Sequence, residues 1–105
     1  MLKLPKQSHV SQQLLHKLQE SSDDQFWDDH PDLLAWMLHV GGSFSPRGAV
    51  RSGYKTLLHD NYISRFERMY GSLPELVQLL RQFIWSEKMY RSQVEEFWKE
   101  TKKST

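Results

Sequence analysis

The sequence predicts an all-α protein, a small bundle of four to five helices without a sheet. Apolar residues recur every three or four positions along most of the chain, the spacing of one helix face. Clusters of Gly, Pro and Ser divide this pattern into segments of helical length. No segment alternates apolar and polar residues for long enough to predict a strand.

The densest apolar segment, HPDLLAWMLHVGG at residues 30–42, predicts the central helix. Pro31 suits the first turn of a helix, because the N–H that it lacks would have no intrahelical partner there. Apolar side chains on nearly every side of residues 33–40 predict a helix that is buried on most of its circumference. Gly41 and Gly42 are expected to end it.

Two features precede the central helix. Residues 9–20 predict a short amphipathic helix that packs on the central helix. Its apolar face comprises Val10, Leu14, Leu15 and Leu18. A polar connection then carries Phe26 and Trp27, and such an aromatic pair is expected to fold back onto the core, with a partner-binding anchor as the alternative.

The segment SFSPRGAV after the central helix predicts a loop, and the next helix is expected to begin near Ser45 or Pro46. Apolar residues at helical spacing continue over residues 50–70, and Gly71 is expected to end this helix. A bend is predicted near residues 60–61.

Ser72 and Glu75 form a capping-box pattern that predicts the start of another helix. A helical pattern follows to Trp98, and no Gly or Pro interrupts it. The pattern therefore leaves open whether residues 75–102 form one helix or two, with a bend expected near Ser86.

The length of 105 residues predicts a single domain, with residues 1–8 and 101–105 expected to be flexible. No segment approaches the roughly 20 apolar residues that a membrane-spanning helix needs. We therefore expect no membrane association and an intracellular location, either nuclear or cytoplasmic.

The composition also limits the kinds of binding and metal sites that the chain can form. The absence of cysteine excludes disulfides, iron–sulfur clusters and thiolate zinc sites. The net charge is only +1, and the chain lacks the strong basic stripe that is typical of a phosphate-binding surface. We therefore expect no sequence-specific binding of nucleic acid.

No catalytic or metal-binding pattern stands out. The five histidines form no H-E-x-x-H motif. The densest candidate for a cation, formed by Asp28, Asp29, His30 and Asp32, is explained more simply by the preference for negative charge at a helix N-terminus. The segment from Gly41 to Ser45 lacks the second glycine and the preceding strand of a nucleophile elbow. We expect neither an enzyme nor a cofactor.

Four motifs occur in order: HPDLLAWMLHVGG, R-x-x-Y, LPELVQLLRQFIW and VEEFWKE. Their order over about residues 30–100 resembles the C-terminal part of the fungal-specific transcription factor domain, the helical regulatory region that follows the zinc binuclear cluster in fungal regulators. The residues that carry this resemblance are Pro31, Leu33, Leu34, Trp36, Leu38, Gly41, Gly42, Arg51, Tyr54, Phe83, Trp85, Phe97, Trp98 and Glu100.

The resemblance implies a non-enzymatic regulatory or protein-interaction module in a fungal nucleus or cytoplasm. The chain looks like the end of such a regulator, without the six-cysteine cluster that binds DNA. A free-standing helical adaptor and a helical protein that binds a small ligand are the alternatives, and the sequence identifies no effector.

The apolar residues exceed what a few short helices enclose, so we expect a protein partner or a homodimer. The residues expected to form the core or to contact a partner are Trp36, Leu38, Gly41, Gly42, Arg51, Tyr54, Trp85 and Trp98.

Overall fold

Helices make up most of the computed structural model, which describes the backbone of residues 3–103 and the side chains of residues 10–102. They are α1 (Lys3–Glu20), α2 (Gln25–Asp29), α3 (Pro31–Ser43), α4 (Ala49–Asn61), α5 (Leu73–Leu80) and α6 (Glu87–Lys103), with a π-helical turn at Tyr62–Phe66. No strand occurs within residues 3–103. The all-α prediction is confirmed, and the one helix beyond the predicted number is the five-residue α2.

Helix α3 lies at the centre of the bundle and contacts every other helix and the π-helical turn. Its side chains Leu34, Ala35 and Leu38 are buried, and Leu33 and Met37 are partly buried against the same core. The prediction of a helix covered on most sides is confirmed.

The glycine pair does not end α3, which continues through Gly41 and Gly42 to Ser43. A Cβ atom at Gly42 would lie 2.3 Å from Cζ of Phe97, and one at Gly41 would lie 2.8 Å from Cε1 of Tyr54. The prediction of a stop was wrong because these glycines admit two rings that pack on the last turn.

Helix α1 packs on α3 and α4 through Leu15 and Leu18, both of which are buried. A Cβ atom at Gly53 of α4 would lie 2.5 Å from Leu15, so the two helices approach closely there. Val10 was predicted on the same apolar face but is 62% exposed. It lies one turn before Leu14, the first apolar residue of the described part of α1 that packs on the core.

The predicted polar connection contains α2. Its start is capped by Asp24, whose Oδ1 accepts a hydrogen bond from the Phe26 N–H at 2.9 Å. Trp27 is buried, as predicted, whereas Phe26 is exposed. Because neighbouring residues of a helix point about 100° apart, only one of the two rings faces the core.

Helix α4 begins at Ala49, three or four residues later than predicted. Ser45 and Pro46 lie in the preceding turn. Gly48 has φ +133°, a conformation that L side chains rarely adopt, and the helix starts directly after it.

Helix α4 ends at Asn61 and a π-helical turn begins at Tyr62, next to residues 60–61, where we predicted a bend. The Glu67 N–H donates to the carbonyl oxygen of Tyr62 at 2.7 Å, which is the i to i+5 bond of a π turn. The helix ends there, so Tyr70, although buried, lies beyond it.

Helix α5 begins as its capping pattern predicts. The Oγ atom of Ser72 accepts a hydrogen bond from the Glu75 N–H at 3.4 Å. The Glu75 carboxylate accepts one at 2.7 Å from the N–H of Gly71, one residue before the usual partner in a capping box.

Residues 75–102 form two helices, because α5 ends at Leu80 and α6 begins at Glu87. Ser86 stands at the start of α6, where its carbonyl oxygen accepts a hydrogen bond from the Tyr90 N–H at 2.8 Å. The bend expected near Ser86 is thus a complete break over residues 81–86.

The backbone is helical from Lys3 and up to Lys103, within the end segments for which we predicted flexibility. Residues 1–2 and 104–105 lie outside the described residues, and flexibility at both ends stays a prediction. Across residues 3–103 no helix combines the length and the apolar character needed to span a bilayer.

Candidate functional site

Arg51, on the first turn of α4, caps the C-terminal end of α3. Its Nη1 atom donates hydrogen bonds to the carbonyl oxygens of Gly42 at 3.1 Å, Ser43 at 3.2 Å and Ser45 at 2.8 Å. The last carbonyl groups of a helix lack intrahelical partners, and a positive charge is favourable at that end of the helix dipole. Arg51 therefore supplies the cap that the glycine pair was expected to provide.

The same guanidinium binds Glu100 of α6 in a bidentate pair. Nε donates to Oε1 at 2.9 Å and Nη2 donates to Oε2 at 3.0 Å. Lys55 lies 3.2 Å from Oε1, and the Arg51 guanidinium also lies 5.0 Å from the ring centroid of Phe97. Hydrogen bonding from Arg51 lowers the pKa of Glu100 to about 2. This ionic junction joins α3, α4 and α6.

Tyr54 fills the space beside the two glycines and is fully buried. Its hydroxyl donates a hydrogen bond to the carbonyl oxygen of Ser11 at 2.9 Å, and burial raises its pKa to about 12. Leu38 is also fully buried. Arg51, Tyr54 and Leu38, three of the residues predicted for the core or for a partner contact, are therefore buried in this chain.

Trp36 and Trp85, by contrast, lie at one surface, around the connection between α5 and α6. We name this region the aromatic surface and define it as Trp36, Phe44, Phe83, Ile84, Trp85, Met89 and Tyr90. The indole N–H of Trp36 donates to the carbonyl oxygen of Ile84 at 3.0 Å.

Ring contacts form two groups within the aromatic surface. The ring centroids of Trp36 and Phe83 are 6.1 Å apart, and Tyr90 contacts both Trp85 at 5.5 Å and Phe44 at 5.4 Å. Its most exposed members are Ile84 at 72% and Met89 at 65%. The sequence signalled the two tryptophans; Phe44, an apolar residue within the predicted loop, was a signal that we did not use.

Charges of both signs border the aromatic surface. Glu87 accepts hydrogen bonds from the indole N–H of Trp85 at 2.8 Å and from Nε of Arg81 at 3.0 Å, and Arg91 lies 3.3 Å away. The hydrogen bond from Trp85, with help from Arg81, lowers the pKa of Glu87. The border therefore offers a carboxylate and two guanidinium groups to a partner.

Trp98 lies elsewhere, on a groove of about 610 Å³ between α4, the π-helical turn and α6. Leu58, Tyr62 and Ile63 form apolar walls with it, and Ile63 is 80% exposed. Polar residues that line the groove are Ser52, Lys55, Thr56, His59, Thr101 and Lys102. None of its described lining residues is acidic.

His39 and Tyr70 also line the groove, and both are buried. Nε2 of His39 lies 2.8 Å from the Tyr70 hydroxyl, whereas Nδ1 has no hydrogen-bond partner in the part of the chain that the structure describes. Burial lowers the pKa of His39 to about 3 and raises the pKa of Tyr70. The imidazole is therefore neutral near pH 7. Its position inside the apolar segment of α3 was the only signal for it in the sequence.

The acidic cluster at the start of α3 does not assemble a metal site. Asp28 pairs with Nε of Arg65 at 2.9 Å, and Oδ1 of Asp32 accepts a hydrogen bond from the Leu33 N–H at 2.9 Å. Among the described residues no group of three or more His, Cys, Asp or Glu side chains is arranged to hold a metal ion.

Comparisons of the chain with protein-family models, with curated protein sequences and with solved structures found no match.

Proposed function

We propose that this protein is a non-enzymatic helical regulatory module that acts through protein contacts, similar to the distal regulatory region of fungal transcription factors. The observation that carries the proposal is the aromatic surface, where Trp36 donates a hydrogen bond to the exposed residue Ile84, the chain neighbour of Trp85, and both tryptophans belong to the resemblance. The setting that the resemblance implies is a fungal nucleus or cytoplasm.

The composition of this surface favours a protein partner. Trp, Tyr, Phe, Met and Arg are the residues enriched at protein interfaces, and all five types occur at the aromatic surface or its border. Trp and Tyr also dominate the binding energy of interfaces when they become desolvated at the centre of a contact. Trp36, Trp85 and Tyr90 are only partly buried in this chain, so a partner would complete their burial.

The occupant that we propose is a second copy of this chain, related by a two-fold axis. A two-fold contact brings the same surface of each copy together, so it must be self-complementary. The border meets this requirement because Glu87 of one copy can pair with Arg81 or Arg91 of the other. A surface bordered by charges of one sign would repel its own copy.

Sedimentation velocity over at least a tenfold range of concentration tests this contact. We expect a monomer–dimer equilibrium for the native chain and a monomer for Ile84→Glu, because the new carboxylate would be buried without a partner in the interface. Ile63→Glu is the matched control, since Ile63 is at least as exposed as Ile84 but lies on the groove. A native chain that remains monomeric at every concentration would contradict the dimer.

A second experiment concerns nucleic acid. We expect no site-specific binding of duplex DNA, because the chain carries neither the six-cysteine cluster nor a strong basic stripe. Fluorescence anisotropy at physiological salt measures this, and nanomolar affinity for one sequence would contradict the proposed role.

A further inference from the structure

We propose that the groove beside Trp98 binds a small amphipathic carboxylic acid with a flat apolar ring system that carries a hydroxyl group. This activity goes beyond the proposed protein contacts, because the groove and the aromatic surface share no residue.

The size and the walls of the groove suit such a ring system. A volume of about 610 Å³ lies within the range of roughly 300–1,000 Å³ typical of small-molecule sites. Trp98, Tyr62 and Leu58 offer apolar faces. Aromatic side chains favour flat ligands, which stack on them or meet their edges.

The charges of the groove select an acid. Lys55 and Lys102 both line it, and its described lining contains no carboxylate. Lys55 pairs with Glu100 at 3.2 Å, which holds its ammonium group in place, and the Lys102 ammonium lies 4.7 Å from the ring centroid of Trp98. A carboxylate attached to a ring that lies against Trp98 would therefore have an ammonium group close by.

The imidazole of His39 offers a hydrogen-bond partner for a hydroxyl group of the ligand. A neutral imidazole has one donor and one acceptor nitrogen, and the Tyr70 hydroxyl occupies Nε2. In either tautomer Nδ1 keeps an unused capacity for a hydrogen bond, although it is buried. Because Nδ1 is buried, a ligand must displace neighbouring side chains to reach it. A hydroxyl group can donate or accept, so it can then pair with Nδ1 in both tautomers.

Isothermal titration calorimetry with three related probes tests the proposal. The probes are 6-hydroxy-2-naphthoic acid, 2-naphthoic acid without the hydroxyl and 2-naphthol without the carboxylate. We expect the hydroxy acid to bind most tightly and each of the other two to bind about tenfold more weakly, the change expected for the loss of one well-formed polar contact. Absence of binding by the hydroxy acid, or equal affinity for 2-naphthol, would overturn the proposal.

Variants locate the bound probe. Lys102→Gln should weaken binding of the hydroxy acid several-fold, whereas Lys99→Gln, an exposed position on the same helix outside the groove, should leave it unchanged. Thr56→Trp places a large ring in the groove from an exposed position and should abolish binding. Unchanged affinity in Thr56→Trp would overturn the proposal.

The Ile84→Glu variant separates this proposal from that of the protein contact. If the probe binds in the groove, its affinity is the same in this variant as in the native chain, whether or not the native chain forms a dimer. Loss of probe binding in Ile84→Glu would place the probe at the aromatic surface and overturn the groove as its site.

Discussion

Two polar clusters inside this small bundle solve the problem of burial in opposite ways. The ionic junction keeps its charges, because the Arg51 guanidinium satisfies three carbonyl oxygens and both oxygens of Glu100. The pair of His39 and Tyr70 gives up charge altogether, with the pKa of the imidazole lowered to about 3 by burial. Both clusters connect α3 to neighbouring segments of the chain.

Because of this difference, the two clusters are sensitive to different changes. The ionic junction depends on both partners, because removal of one leaves a charge in a place with little water. The neutral pair depends on pH, because protonation would create a buried cation with no anionic partner among the described residues. Three predictions test this contrast, beginning with the largest effect.

Arg51→Met should lower the free energy of unfolding by about 3–5 kcal/mol, because Glu100 loses its bidentate partner and the carbonyl groups at the end of α3 lose the donor that they share. Urea denaturation followed by circular dichroism measures the change. The double variant Arg51→Met with Glu100→Gln should lose less than the sum of the single variants, since the two side chains act as one unit. Strict additivity would show that the ionic junction is not a unit.

The free energy of unfolding should fall by about 2–3 kcal/mol when the pH is lowered from 6.5 to 4.5, at up to about 1.4 kcal/mol per pH unit. The sign follows because the unfolded state binds a proton at His39 below its ordinary pKa of 6.5, whereas the folded state stays neutral down to about pH 3. Glu100 adds its loss later, below its ordinary pKa of 4.5 and down to about pH 2.

His39→Gln is the control for this window, since an amide keeps hydrogen-bonding groups but does not titrate. Its stability should be nearly flat between pH 6.5 and 4.5. An equal slope in the native chain and in this variant would show that His39 is not the source of the pH dependence.

Tyr70→Phe should have the smallest effect, a loss of about 1–2 kcal/mol, because it removes one hydrogen bond to a neutral imidazole and leaves Nε2 without a partner. Urea midpoints at pH 7 measure it. Tyr62→Phe is the matched control, since the Tyr62 hydroxyl makes a long 3.4 Å hydrogen bond to the Tyr70 carbonyl oxygen and should cost less. A larger loss in Tyr70→Phe than in Arg51→Met would reverse the contrast between the two clusters.

Local signals in the sequence were sufficient for two helix starts that depend on neighbouring residues. Pro31 starts α3, and the pair of Ser72 and Glu75 starts α5. Each depends on hydrogen bonds or on backbone restrictions within a few residues. For the same reason the all-α fold class could be predicted from the spacing of apolar residues.

Features of the candidate sites were harder to predict, because they join residues that are far apart in the chain. The sequence predicted some residues of the ionic junction and of the aromatic surface. It placed them in one set of core or contact residues and did not separate the two sites. Nothing local distinguishes Trp36, which lies at the surface, from Leu38, which is fully buried two positions later.

The amino-acid sequence by itself determined the helical class of this protein, the starts of α3 and α5 and the central place of α3, because these follow from periodicity and from bonds between near neighbours. Only the tertiary structure decided what Gly42 and Arg51 do. In the sequence Gly42 predicts the end of a helix, whereas in the structure the Phe97 ring of α6 fills the space beside it. Arg51 is only part of a short motif in the sequence, whereas in the structure it binds Glu100 and the end of α3. Contacts between residues about 50 positions apart therefore override the tendency of glycine to end a helix, since a buried ring and a paired charge contribute more than the helix propensity of one glycine.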